Sequence, residues 1–360
     1  MPFKIIRNDI TKVKADAIVN TANPLPVIGG GTDSAIYKAA GEKKLLAERI
    51  KIGKIAPGQC AVTPAFKLRA KYLIHTVAPV WIDGKHGESD ILRLCYENSL
   101  NTANELSCES IVFPLIATGI YAFPKSEALN IALSEIGKFL LSHEMDVTLA
   151  VLDRESLELS ENLIGDIEKY IDEHCVKRIF KSEYGGNKPV NRRSAEGAYV
   201  LNRCEECIDT GPREYISEEP ELSVPAAPSI NSFSDISGKT LDEVLNQKED
   251  SFRLRLFKLI DERGLDDVTV YKRANIDRKV FSRIRCKEDY KPKKTTAVAF
   301  AVALRLDMPA TLDLLSRAEI AFSPGSKFDL IVSYFILNRN YDIYEINAAL
   351  FKYGQPLLGE

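Results

Sequence analysis

Two different hydrophobic rhythms divide this chain, and they constrain its fold more than any other feature. Up to about residue 180, short runs rich in Ile, Val and Leu alternate with helical patterns. The runs are KIIR from Lys4, DAIVNTA from Asp16, YLIHTVAPVW from Tyr72, SIVFPLIA from Ser110 and DVTLAVLD from Asp146. They are nearly continuous rather than strictly alternating, which suits strands buried on both faces of a sheet. Ser34–Ala40, Ile91–Glu105 and Ser126–Leu141 read as helices between them. The last places Ala128, Leu129, Ala132, Leu133, Ile136, Phe139 and Leu140 at helical spacing. Strand-helix alternation predicts an α/β three-layer sandwich. After Leu241 no strand candidate occurs. Consecutive helical segments run to the end, punctuated by Gly264, Asn275-Ile-Asp277, Tyr290-Lys-Pro292, Asp307-Met-Pro309, Pro324-Gly325 and Asn340, and they predict an all-α domain.

Between these parts, about Lys181 to Gly238, the pattern dissolves into YGGNKP, DTGPREY and EEPELSVPAAPS. This composition reads as a polar, flexible linker. The expected organisation is therefore 1–180, a linker at 181–240, and 241–360, in keeping with 360 residues and domains of roughly 100–200 residues. Cys204 and Cys207 form a CxxC pair in the linker, half of a zinc site without a second pair, so no metal is expected. Seven cysteines spread over this length do not form a disulfide framework, and no secretory signal or membrane-length apolar run is present. A cytoplasmic protein is expected.

Two loops concentrate the chemistry of the first part. One runs from the strand end at Val19 through Asn23 and Gly29-Gly30-Gly31 to Thr32-Asp33 and a helix. Consecutive glycines let backbone approach a ligand, and the helix start behind them offers unpaired N–H groups to an anion. The other, Pro114 to Pro124, is again strand, loop and helix, with Thr118-Gly119-Ile120-Tyr121 at its centre. Two such loops at strand carboxyl ends could wall one crevice. Neither matches the Walker or dinucleotide fingerprint. A ligand-free turn, with Asp33 as a simple helix cap, is the competing reading.

The residues then become recognisable. DIT at Asp9–Thr11, DAIVNTAN at Asp16–Asn23, GGGTDSAIYKAAG at Gly29–Gly41, YLIHTVAPVW at Tyr72–Trp81, CYENSL at Cys95–Leu100 and FPLIATGIYAFP at Phe113–Pro124 resemble the macrodomain family, the MacroD type in particular. The resemblance implies an ADP-ribose pocket on a mixed-sheet sandwich. It places Asp9 and Ile10 at the adenine. Gly30, Gly31 and Thr32 would face Thr118, Gly119 and Ile120 around the diphosphate, with Tyr121 against the distal ribose. It also implies ester hydrolysis, with Asn23 fixing that ribose and Asp33 orienting a water; the substrates would be ADP-ribosylated Asp or Glu side chains or O-acetyl-ADP-ribose. No cofactor is implied. Three departures bear on turnover: Tyr37 where this branch usually has His, Ala117 for Ser, and Ala122 for a common Gly. His75 lies inside an apolar run and reads as core.

In the helical part, the spacing from Val270 to Ile284 looks like a helix-turn-helix, and roughly Phe252–Leu315 is similar to the lambda-repressor-like family. Asn275 takes the turn and Asp277 caps the second helix. Val280, Phe281 and Ile284 would face inward, and Arg278, Lys279, Ser282 and Arg283 outward, as a DNA-reading helix requires. Lys272–Lys294 holds ten basic residues against three acidic ones, a net +7 concealed by a whole-chain charge of −3. Such a patch suits phosphate contacts. Tyr271 departs from the family, standing where a small residue is usual. The alternatives are a helical protein-contact or homodimerisation module, and a non-catalytic sensor of ADP-ribose or another NAD metabolite that regulates transcription.

Overall fold

The computed structural model describes residues 2–152, 163–171, 251–288 and 290–359. The linker expected at 181–240, with Cys204 and Cys207, lies outside the described residues. The first part is a six-stranded sheet of order β1-β6-β5-β2-β4-β3, formed by β1 (Phe3–Arg7), β2 (Ala17–Thr21), β3 (Cys60–Pro64), β4 (Tyr72–Thr76), β5 (Ser110–Pro114) and β6 (Asp146–Val151). All neighbours pair parallel except β3, which runs antiparallel to β4 at the edge, so the sheet is mixed. Helices α1 (Thr32–Ala40) and α2 (Glu42–Ile52) cover one face, and α3 (Glu88–Glu105) and α4 (Lys125–Ser142) the other.

Burial on both faces explains the continuous apolar runs. Along β2, Ala17 and Val19 enter one core layer with Ile111, Phe113, Val147 and Leu149, while Ile18 enters the other with Ile36, Leu45, Leu73 and Val112. The strand side chains alternate faces, but both faces are dry. β3 and α2 escaped the sequence reading: β3 is a half-buried edge strand with Cys60 and Pro64 at its ends, and α2 carries charge over most of its surface. β2, β4, β5 and β6 run in one direction, so the loops after Thr21 and Pro114 leave the same end of the sheet.

Helix α5 spans 163–171. The remaining helices form a bundle: α6 (Phe252–Glu262), α7 (Asp267–Arg273), α8 (Arg278–Cys286), α9 (Lys294–Ala303), α10 (Met308–Ser316), α11 (Lys327–Leu337) and α12 (Ile343–Lys352). α9 is buried at every position from Thr296 to Ala303, as an all-apolar helix at the centre of a bundle must be. Side-chain oxygens of Ser251, Asp266, Asp277, Asp307, Ser326 and Asp342 cap six of the seven helix starts.

Bundle and sandwich share one hydrophobic core, a continuity that the two rhythms did not announce. The edge strand β1 is where they meet. Asn275, at φ +52° in the α7–α8 turn, is fully buried; its side-chain oxygen accepts from Phe3 N–H at 2.9 Å and its amide donates to Phe3 C=O at 2.8 Å. The Phe3 ring meets Tyr344 edge-on at 5.4 Å. Tyr271 is buried beside Phe281, and its hydroxyl donates to Glu144 of the sandwich at 2.8 Å, so the bulk at this unusual position serves the junction.

Candidate functional site

The two glycine-bearing loops do converge. Asn23, Gly29, Gly30, Gly31, Thr32 and Asp33 of the first, with Gly119, Ile120 and Tyr121 of the second, line a cleft of about 250 Å³. Eight of the eleven residues expected around the ligand are thus brought together. The other three do not line it. Asp9 sits beyond the end of β1, where its carboxylate accepts from Thr11 N–H at 3.0 Å and the Thr11 hydroxyl at 2.7 Å. Ile10 is buried beside it in the core. Thr118 turns its hydroxyl to Leu115 C=O at 3.0 Å, inside its own loop.

Gly29 and Gly30 lie close against side chains of the cleft. A Cβ on Gly29 would fall 2.8 Å from Asn23 Nδ2 and 3.2 Å from Asp33 Oδ2, and one on Gly30 would fall 2.6 Å from the Ile120 side chain. The two Gly29 distances together put the Asn23 and Asp33 side chains beside the same stretch of backbone. Ile120 bridges the loops while remaining 74 % exposed.

Asp33 does not cap helix α1. It lies in the first turn, is only 4 % exposed, and uses its carboxylate on the loop: Oδ2 accepts from Gly29 N–H at 2.6 Å and Oδ1 from Asn20 Nδ2 at 2.6 Å. Burial raises its pKa; the bonds from Asn20 and Gly29 and the positive charge of Arg49 oppose that rise. Behind it runs a buried polar chain. The Asn20 amide also lies 3.2 Å from His75 Nδ1, and His75 Nε2 lies 2.9 Å from the Thr63 hydroxyl. Asn20 Nδ2 can only donate, so His75 Nδ1 accepts and its proton resides on Nε2, facing Thr63. Burial, with a smaller contribution from Arg49, pushes the His75 pKa down to about 3, so it is neutral and a core residue. Tyr37, on the same helix as Asp33, is also buried, and its phenol is raised to about 12 by burial and by the charge of Asp33.

Three supports were not visible in the sequence. Asn20 is a polar residue inside an apolar strand run, and nothing local marks it as the partner of Asp33. Arg49 is 1 % exposed on α2; its guanidinium donates to the carbonyls of Gly53, of Asn23 at 3.1 Å and of Pro24 at 3.2 Å, fixing the backbone at Asn23. Burial lowers its pKa. Glu88 latches the loop after β4 by accepting from the N–H groups of Ile82, Asp83, Gly84 and His86. Burial works against its charge, but the backbone donors win and hold its pKa at about 2. That loop in turn braces the second wall: Trp81 N–H donates to Tyr121 C=O at 3.0 Å, and the Trp81 ring meets Phe123 at 4.6 Å. Ala117 and Ala122, two of the departures noted above, adopt φ of +67° and +52°. Both hold left-handed turns without the freedom of glycine, at a cost of about 1–2 kcal/mol each.

In the bundle, Arg278, Lys279, Ser282 and Arg283 are all exposed on α8, and Asp277 caps that helix by accepting from Lys279 N–H at 2.6 Å. Arg278 and Lys279 nevertheless face the sandwich across a cavity shared with Glu109, Glu144 and Asp146. Asp83, His86 and Glu88 could place three ligand atoms together, but the Glu88 oxygens already serve the loop backbone. No helix of the described residues is long and apolar enough to cross a membrane.

Comparison with known proteins agrees with this geometry. Residues 19–132 match the Macro domain family. A Macro domain-containing protein of Lactiplantibacillus plantarum is 49% identical over 134 residues, 37% of this chain and 77% of the relative. One from Chlorobaculum tepidum is 46% identical over 135 residues, 38% of this chain and 78% of its own length. An O-acetyl-ADP-ribose deacetylase of Citrobacter rodentium is 40% identical over 165 residues, covering 44% of this chain and 93% of the relative. The sandwich and its two convergent glycine loops, together with these relatives, place the chain in the Macro domain family.

Proposed function

We propose that the cleft binds ADP-ribose and that the protein hydrolyses ADP-ribosyl esters, either on Asp or Glu side chains of modified proteins or in O-acetyl-ADP-ribose. The observation that carries this reading is the placement of Asn23 and the buried Asp33 carboxylate together beside Gly29, in a cleft whose lining holds no Lys or Arg. Backbone N–H groups of the Gly30–Thr32 and Gly119–Ile120 walls suit a diphosphate. Asp9 and Ile10, at the carboxyl end of β1, would take the adenine, and Thr118 would contribute through its backbone. Tyr121 would pack against the distal ribose and Asn23 would hydrogen-bond it. Asp33 would draw a proton from a water attacking the ester carbonyl; the bond from the carbonyl carbon to the ribose oxygen breaks, the acyl group keeps the water's OH, and Asp33 returns the proton to the ribose oxygen, which leaves as a hydroxyl. The Citrobacter rodentium relative, named for the acetyl-ester reaction, supports the same chemistry here.

A calorimetric titration with ADP-ribose, followed on the same sample by release of ADP-ribose from a glutamate-modified protein and from O-acetyl-ADP-ribose, tests both halves. Binding without release from either ester would leave a sensor and remove the enzyme.

The pH dependence follows from Asp33. Its folded pKa lies above the ordinary value of 3.8, and the reaction needs its ionised form. The rate is expected to fall as pH drops through that raised pKa, so the acid limb of kcat/KM should sit above the ordinary aspartate value of 3.8. For stability the sign is opposite. The folded state favours the proton, so the contribution of Asp33 is greatest below its unfolded pKa and is lost as pH rises through the folded one. A pH-rate profile with its acid limb at the ordinary value would count against Asp33 as the base.

For the bundle, the contact that Asn275 makes with Phe3 favours the protein-contact alternative over DNA reading. A duplex approaching the start of α8 would meet the sandwich, and Arg278 and Lys279 already face its acidic residues. We propose that the helix-turn-helix resemblance marks an intramolecular docking module. Full-length protein is then expected to bind duplex DNA only weakly. Tight, salt-sensitive binding that Lys279→Ala with Arg283→Ala abolishes would reinstate DNA recognition.

A further inference from the structure

A groove of about 1090 Å³, larger than the glycine cleft, lies between α4 of the sandwich and the bundle. Arg273 at the end of α7, Arg305 in the α9–α10 turn and Arg339 in the α11–α12 turn all line it. The three are exposed, and none forms an ion pair among the described residues. Two acids share the lining and are held by neutral donors: Asp342 caps α12 through the N–H groups of Tyr344 and Glu345, and Glu345 accepts from Asn340 at 2.8 Å. Tyr341, half-buried in the same wall, lies within electrostatic reach of Asp307 and of three cations, Arg339, Arg263 and Arg305.

Each arginine follows or ends a helix, where a cation favours the carbonyl end. That accounts for one arginine at a time. It does not account for three from separate elements meeting in one groove beside an aromatic ring. Guanidinium forks bind phosphate oxygens in pairs, an aromatic face accepts a base, and small-molecule sites favour clefts between domains. We propose that this groove binds a nucleotide carrying at least two phosphates, with Arg305 and Arg339 on the phosphates and Tyr341 against the base. The site is separate from the glycine cleft and does not depend on what that cleft does.

Arg305 and Arg339 stand at φ +50° and +55°, so Gly fits both positions better than Arg. Arg305→Gly with Arg339→Gly should therefore fold, with a Tm no lower than the parent's, while removing both cations. Calorimetric titration of the full chain with ATP is expected to show binding that weakens by roughly tenfold or more in this double variant. The same binding should persist in Gly30→Val, whose Cβ crowds Ile120 in the glycine cleft. No binding of ATP, or binding that the double variant leaves intact and Gly30→Val removes, would overturn the proposal.

Discussion

Asp33→Ala is expected to reduce ester hydrolysis by a factor of about 10²–10⁴, the range typical for loss of a positioned general base. The structure adds a complication. The Asp33 carboxylate also holds Gly29 N–H and Asn20 Nδ2, so alanine removes a loop anchor together with the base. Asp33→Asn separates the two roles. An amide oxygen can still accept from Gly29 N–H, which keeps the loop near its place, while the charge is gone. If Asp33 acts chemically, both variants lose turnover, and the asparagine variant keeps its affinity for ADP-ribose. An asparagine variant that still hydrolyses, beside an alanine variant that loses binding and turnover together, would reduce Asp33 to a strut. The Asn20 side chain would then face an amide instead of a carboxylate, and its own oxygen lacks a partner in the buried chain. A rotation of that amide, with the proton of His75 moving to Nδ1, would restore every hydrogen bond, so the asparagine variant should fold.

What could be read from the sequence follows a physical line. The glycine loops and Asp33 were legible because tight turns, helix starts and close backbone approach are local properties. The sandwich strands were legible because burial on both faces leaves continuous apolar runs. β3 and α2 were not, since an edge strand and a charged helix bury too little to leave a pattern. Arg49 and Asn20 were missed for a different reason: their partners are carbonyls and side chains brought close only by the folded sheet. Asn275 is the mixed case. Its left-handed turn was predictable, while the use of its side chain depends on a residue 272 positions away. Likewise the outward face of α8 was placed as expected, but nothing in its spacing revealed that the sandwich stands in front of its first turn.

Asn275→Ala is expected to produce the largest loss of stability. The substitution leaves Phe3 N–H and C=O buried without partners. Each orphaned group costs about 1–3 kcal/mol, roughly 2–6 together, against a total stability of about 5–15 for typical proteins. Alanine also strains the turn at φ +52° by about 1–2 kcal/mol. Asn275→Gly removes the amide without that strain, so the difference between the variants isolates the turn and the glycine value isolates the hydrogen bonds. Denaturant unfolding of both, followed by the single Trp81 in the sandwich and by helical circular dichroism, measures them. Because Phe3, Tyr344 and Tyr271 belong to one core, the two probes should move together to a lower midpoint. An unchanged midpoint in Asn275→Gly would mean that Phe3 finds other partners and that the turn merely rests on the sheet edge. A shift in the helical signal alone would separate the bundle from the sandwich. A shared shift would show that the bundle supplies the partner that edge strand β1 otherwise lacks, since an unpaired edge is a liability that a fold must cover.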